Sequence, residues 1–599
     1  MHTFHIPVMG IGFTIDTPLK VSHLGIDSVI SLVDDMLLEK MRKTYCRKHN
    51  RMYAEISDKI DDFRAKRITS YLNLINDLID EKFEEIKKIS FEKMDVLKAY
   101  FNLLPKDSSL KKEFMSMMSI PIATSEVRKW AEKHLVKGSL DVNIMTKIDK
   151  DNYIENKPLP AIYNDAHAAL RGFANSNISS SLILSAGMNP RLYGYIEEFE
   201  DFYPVHGLLK KKIVLKVSDY RSAFIQGKFL AKKGIWVSEF RIESGLNCGG
   251  HAFATNGFLL GPILESFKNN KKVLISALHE VYIKALIDKN KEVPKTPLPI
   301  KISAQGGVGT SEEHDFLLQH YEVDSVGWGS PFLVVPEVTN VDQTTINRLL
   351  DAKEDDLYLS HISPLGIPFN NLRGNSKDLE KKILIAKGRP GSSCPKKYIA
   401  INKEFTDQSI CTASRQYQHL KIKELDSKPL NDEEYNAKYT KIVEKSCICV
   451  GLGTSALLIH DLDTKTEGKG VAICPGPNMA YFSKKMSLIE VTDHIYGRSN
   501  MISRIDRPNM FIKELNLYLD YLKNKIEEAQ SETVKNQEKY LKAFAANLQE
   551  GINYYLDLFR NLKVSAQESK MNIISQFQLA VVNLQLLEIE IRNLSELEK

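Results

Sequence analysis

Eight short runs rich in β-branched and aromatic residues, most of them separated by a helical pattern, constrain this chain more than any other feature. They fall at residues 5–13 (with a loop), 28–33, 140–145, 181–187, 212–218, 235–242, 299–304 and 323–326. Thr17-Pro18 opens a helix between the first two, Thr as N-cap and Pro at the first helical position. Helical spacing recurs at 220–233, 273–288 and 312–320. Strand and helix in alternation predict a parallel sheet. Eight such strands predict an α/β fold of the (β/α)₈ TIM-barrel type, with a doubly wound open sheet as the alternative.

Two stretches break the alternation. Between 36 and 137, Leu72, Ile75, Ile79, Phe83 and Ile86 recur at helical spacing among Lys and Glu. This predicts a large helical insertion after the second strand, its charges lying on solvated faces. Beyond residue 500, three apolar stripes follow one another: Phe511, Leu515, Leu519, Leu522 and Ile526, then Leu541, Phe544, Leu548, Ile552, Tyr555 and Phe559, then 571–594. They predict an α-helical C-terminal region that docks on its own barrel or offers a face to a partner.

Three strands end in glycine. The sixth runs into Asn247-Cys248-Gly249-Gly250-His251, the seventh into Ser303-Ala304-Gln305-Gly306-Gly307-Val308-Gly309, the eighth into Gly327-Trp328-Gly329-Ser330. Glycine lets backbone turn sharply and approach a ligand. Adjacent glycine-rich ends after the last two strands of a barrel suit a phosphate held by backbone N–H groups, with the Ser330 hydroxyl as a further donor. His251, at a strand's carboxyl end, is the candidate catalytic residue, because imidazole both accepts and donates protons near neutrality. Cys248 next to it reads as a redox thiol or a small buried filler.

These segments resemble the nitronate monooxygenase family, FMN-dependent TIM barrels that include related enoyl reductases. The family carries an EAGGH-type segment, an AAGGI-type strand end and a Gln-(Ile/Val)-Gly-(Ser/Thr) strand end, in the order found here. Ser363-Pro364-Leu365-Gly366-Ile367-Pro368-Phe369 is similar to its SPTGFPF segment, and Lys445-Ser446-Cys447-Ile448-Cys449 to its KxCLC segment. Met486 to Gly497 is similar to a helix near the family's end. The likeness covers about 1–35 and 138–500 in patches. It implies FMN bound by Asn143, Gly249, Gly250, Gly306, Gly307, Gly327, Trp328, Gly329 and Ser330, with His251 as the proton-transfer group. It implies a flavin-dependent oxidoreductase, nitronate monooxygenase-like. The alternatives are a trans-acting enoyl reductase of lipid or polyketide synthesis, with NAD(P)H as co-substrate, or a barrel scaffold without catalysis. The chain departs from the family at three points. Met9-Gly10-Ile11-Gly12 stands where the first loop has Gln-Gly-Pro-Met, Ser244 replaces a Gln, and Asn247-Cys248 replaces the residues before GGH.

The expected division is therefore a barrel at 1–35 and 138–345, the insertion at 36–137, a Cys-containing subdomain at 346–500, and a helical appendage at 501–599. In that subdomain Cys394, Cys411, Cys447 and Cys449 are candidate ligands for zinc or an iron–sulfur cluster, with reduced buried thiols as the alternative. Gly451-Leu452-Gly453-Thr454 lacks the strand and the acidic ribose ligand of a dinucleotide site. With 81 basic and 76 acidic residues the net charge is only +5, which argues against nucleic acid as a partner. The expected partner is a small-molecule substrate, with a second copy or another protein on the insertion and tail. No apolar run reaches membrane-spanning length and the first residues lack a signal-peptide pattern, so a cytoplasmic location is expected.

Overall fold

The structure is a computed structural model, and it describes residues 1–88, 94–120, 123–185, 187–254, 256–531, 537–562 and 567–597. Ala186 and Thr255, inside the expected fourth strand and the loop after the sixth, lie outside the described residues. Eight strands form the barrel: β1 (Phe4–Ile6), β2 (Asp27–Ser31), β3 (Leu140–Met145), β4 (Ser180–Ser185), β5 (Lys211–Val217), β6 (Val237–Glu243), β7 (Lys301–Gln305) and β8 (Ser325–Gly327). Each pairs in parallel with its sequence neighbours. The first closes on the last through Phe4 with Val326 and His5 with Gly327, which excludes the open sheet. The fold is a TIM barrel.

Side chains alternate across a strand, and parallel partners in register share a face. The inward face therefore carries His5, Val29, Asn143, Ile183, Val214, Arg241, Ser303 and their alternating neighbours. Val29, Ile183 and Val214 make a small apolar cluster with Val8, apart from the main core. The rest of the interior is polar. Arg241 donates to Glu239 at 2.8 Å and to Ser303 at 3.3 Å, and His5 Nδ1 lies 2.9 Å from the Ser325 hydroxyl. Barrel interiors are usually filled by branched apolar layers, and this one follows that rule only at the Val29, Ile183 and Val214 cluster.

The insertion is helical, as expected, and Leu72, Ile75, Ile79, Phe83 and Ile86 are buried. Its charges are not all solvated. Arg64 pairs with Asp35 at 2.9 Å, Arg67 with the same carboxylate at 2.8 Å, and Lys396 from the later chain with Asp34 at 2.5 Å. Buried ions need partners because desolvation of an unpaired charge is costly, so this cluster fixes how the insertion and the segment around 396 meet.

The tail is also more than an appendage. Its helices Met510–Ser531, Gln537–Asn561 and Gln567–Leu597 bury the expected stripes in the same continuous core as the barrel. Arg507, just before them, makes a buried pair with Glu313 at 2.8 Å and donates to the Gly307 carbonyl at 2.7 Å. Tyr555 accepts the Gly261 N–H at 2.8 Å and stacks on Phe577 with ring centroids 5.0 Å apart. Among the described residues no single helix is long and apolar enough to cross a membrane. A chain ending at Arg504 would expose this shared core. It is expected to be insoluble or to lose cooperative thermal unfolding; a soluble truncated chain that melts as sharply as the full one would show the tail to be dispensable.

Candidate active site

Parallel strands point their carboxyl ends to one mouth of a barrel, and the loops there carry most of the chemistry of such folds. A cavity of about 360 Å³ occupies that mouth. A larger one, about 630 Å³, opens at the strands' amino ends among Asp27, Asp141, Glu239 and Lys301. The smaller cavity holds the expected residues: His251, Asn143, Gly249, Gly250, Gly306, Gly307, Gly327, Gly329 and Ser330 all line it.

His251 follows β6 through a turn whose glycines answer to close neighbours. A Cβ on Gly249 would meet the Cys474 carbonyl oxygen at 2.5 Å, whereas Gly250, with φ +79°, faces open space. Cys474-Pro475-Gly476, from far along the chain, packs against this turn, and the Gly250 N–H donates to the Cys474 carbonyl at 3.1 Å. His251 Nε2 lies 2.7 Å from the Ser363 hydroxyl, and its ring packs edge-on against Phe369, centroids 4.9 Å apart. Both neighbours belong to the segment 363–369 that the sequence singled out. Burial pushes the imidazole pKa down to about 4, so the ring is neutral at physiological pH. The tautomer that donates Nε2–H to Ser363 leaves Nδ1 with a lone pair.

The floor is built from inward strand ends. Lys216 pairs with Glu243 at 2.7 Å, and Gln305 donates to the other oxygen of that carboxylate at 2.8 Å. Sequence reasoning missed these three. The available signal was a charge at the carboxyl end of each of two adjacent strands, β5 and β6. Asn143 Oδ1 and Asn247 Oδ1 are buried without a hydrogen-bond partner in the protein, and Gln305 Oε1 has only the His5 imidazole beside it. Buried acceptors are nearly always satisfied, so orphans at one cavity are the mark expected of a site for a polar ligand with its own donors.

The glycines after β7 and β8 have two duties. A Cβ on Gly307 would fall 2.0 Å from the Asn247 side chain, and one on Gly327 would crowd Gln305 and His5. Protein packing alone thus demands glycine there, while both still face the cavity. Trp328 departs from expectation. Its N–H donates to the His5 carbonyl at 3.1 Å, its indole donates to His314 at 3.2 Å, and it does not line the cavity. The barrel ladder already uses the backbone donor expected for a phosphate. Cys248 lines the cavity as a protonated thiol, held well above the ordinary thiol range first by burial and then by Glu243. It fits the filler reading.

The expected metal ligands Cys394, Cys411, Cys447 and Cys449 are instead free, buried thiols. Among the described residues no group of three or more His, Cys, Asp or Glu could hold a metal ion. A metal needs three or four ligands aimed at one point, so the zinc or iron–sulfur expectation gives way to the alternative of reduced buried thiols.

The tail braces the loop after β6. The Asn247 amide donates to the Met510 carbonyl at 3.1 Å, and the Ser244 hydroxyl to Glu514 at 2.5 Å. The other oxygen of Glu514 accepts the Leu260 N–H at 3.0 Å. Burial raises this carboxyl to about 7 against hydrogen bonds that lower it.

No protein-family model matches the chain, and no curated protein matches it. Among solved structures, a point mutant of FabK from Thermotoga maritima is similar at 10% sequence identity, over 67% of this chain and 82% of that one. The TM-score is 0.29, too loose a likeness to carry a functional assignment.

Glu514 yields a pH prediction. Its folded pKa lies above its ordinary value of 4.5, so the protonated form is favoured in the fold. The stability it contributes is complete below that value and is lost as pH rises through about 7, a change of about 3 kcal/mol. Denaturant unfolding of Glu514→Gln should therefore gain on the wild type by roughly that amount between pH 4.5 and 7. A constant difference across the range would show that Glu514 does not titrate in this window.

Proposed function

We propose that the chain is an FMN-dependent oxidoreductase with His251 as the proton acceptor. One observation carries the reading: a neutral, half-buried histidine opens onto a barrel-mouth cavity that also holds orphaned buried acceptors and two glycine-rich strand ends. The likeness of those strand ends to the nitronate monooxygenase family supports it. A flavin can answer one orphaned acceptor with its single ring N–H, and its ribityl hydroxyls are donors for another. Asn143, Gln305 and Lys216 would hold the ring, and backbone about Gly307, Gly329 and Ser330 would hold the phosphate. Trp328 is not part of that set. FMN when bound supplies the two-electron chemistry.

The protein's own part is proton handling. An imidazole with a pKa near 4 is almost wholly unprotonated at neutral pH, so it has room for a proton and none to give. That protonation state fits the acceptor step the family resemblance assigns to this histidine rather than delivery of a proton to a reduced alkene, while the low pKa itself makes the free imidazole a weak base. Ser363 holds the ring in place, and Phe369 packs edge-on against it.

The test is His251→Ala, assayed in parallel with a neutral nitroalkane plus O₂ and with a 2-enoyl thioester plus NAD(P)H. The variant should keep its flavin and lose about 10²–10⁴-fold in turnover on the nitroalkane, while the corresponding preformed nitronate, which has already lost that proton, should be turned over at close to the wild-type rate. The wild-type rate should fall only as pH drops through about 4, because that is where the base becomes protonated. Turnover of the enoyl thioester alone would favour the reductase. An unchanged rate on the nitroalkane or the thioester, whichever is turned over, would remove His251 from the mechanism.

A further inference from the structure

The glycine-rich loop after β7 is held from behind by residues far along the chain. Arg507 Nη2 donates to the Gly307 carbonyl at 2.7 Å, and its Nε donates to the Asn478 side-chain oxygen at 2.8 Å. The Asn478 amide donates in turn to the Val308 carbonyl at 2.7 Å. Arg507 Nη1 and Nη2 each reach one oxygen of the Glu313 carboxylate at 2.8 Å. That carboxylate also accepts the N–H groups of Gly309 at 2.9 Å and Thr310 at 3.3 Å. The Arg507 and Glu313 side chains are each only 6% exposed. Arg507 does not line the cavity, whereas Gly307, Val308 and Asn478 do.

This brace uses the carbonyls of Gly307 and Val308 and the N–H groups of Gly309 and Thr310. It leaves over the N–H groups of Gly307 and Val308, which donate to nothing among the described residues. A peptide unit is planar, and its carbonyl and N–H point opposite ways. Drawing the Gly307 carbonyl back to Arg507 therefore turns the Val308 N–H forward, to the cavity side. Adjacent free backbone N–H groups suit an anion. We infer that Arg507 is a positioning residue for the cofactor phosphate, fixing the loop so that these two N–H groups are presented to it. This rests on the flavin reading above. Glu313 already meets the guanidinium's charge, so the contribution of Arg507 is the geometry of a planar fork, which an ammonium does not copy. Glu313 also accepts the N–H of Met510, the first residue of the helix Met510–Ser531, at 2.7 Å. Tight binding of a phosphate-bearing flavin thus depends on the seating of the tail, a region outside the family resemblance.

The test titrates flavin-stripped, full-length protein with FMN and with riboflavin, which has the same ring and no phosphate. Wild type should bind FMN the more tightly. Arg507→Lys should weaken FMN by about tenfold or more and leave riboflavin within about twofold, because only the phosphate contacts are disturbed. Lys513→Met breaks another ion pair of the tail, that with Glu354, and should leave the preference for FMN unchanged. Should Arg507→Lys not fold, Asn478→Ala removes a second strut of the same brace and should show the same selective loss. An Arg507→Lys protein that keeps the wild-type preference for FMN, or that is weakened equally for both flavins, would overturn the positioning role and leave the flavin reading intact. So would a loss of preference in Lys513→Met as large as in Arg507→Lys. Wild-type protein that takes up neither flavin would overturn both.

Discussion

Two backbone pairings, Phe4 with Val326 and His5 with Gly327, close the barrel, and the mouth depends on them. Each of the two strands that meet there is only three residues long. Their union sets the loop after β1 beside the glycines after β8 and completes the ring of strand ends. The same closure takes the Trp328 N–H into the ladder, which is why the adjacent glycine and serine, rather than the tryptophan, remain to meet a phosphate.

Around that ring, distant segments supply the walls. Ser363 and Phe369 orient His251, Cys474 to Gly476 seat the turn before it, and Met510 and Glu514 hold the loop after β6. Each contact spans a long stretch of chain, so the mouth is preorganised only when the whole molecule is folded. The polar half of the barrel interior ends in the same place. Lys216, Glu243 and Gln305 form a connected charge and amide array beneath the cavity, partly satisfied by one another and partly left open to whatever binds.

Much of this was legible in the sequence, and the exceptions have physical causes. The eight strands and their order could be read because a parallel barrel needs β-branched runs at regular intervals, and His251 stood out because glycines flank it at a strand end. Lys216 and Glu243 were overlooked because a charged residue inside a strand run reads as an edge or surface position; only the register shows that both face inward. The tail's place stayed open between its own barrel and a partner, because a helix buried against either has the same periodicity. The insertion's Arg64 looked solvated because its partner Asp35 and the Tyr398 that encloses the pair come from outside the insertion. The four cysteines could be read as metal ligands or as reduced buried thiols, because sequence cannot show whether distant sulfurs converge on one point.

The claim that a flavin occupies the barrel mouth is tested most directly by isothermal titration of FMN into flavin-stripped full-length protein, compared with the Asn143→Leu variant. The account predicts one FMN per chain and an affinity at least tenfold weaker in the variant, because one orphaned acceptor is lost from the ring site while the phosphate contacts remain. Equal affinity in the two proteins would place the flavin elsewhere, and no binding to either would contradict the account at its centre.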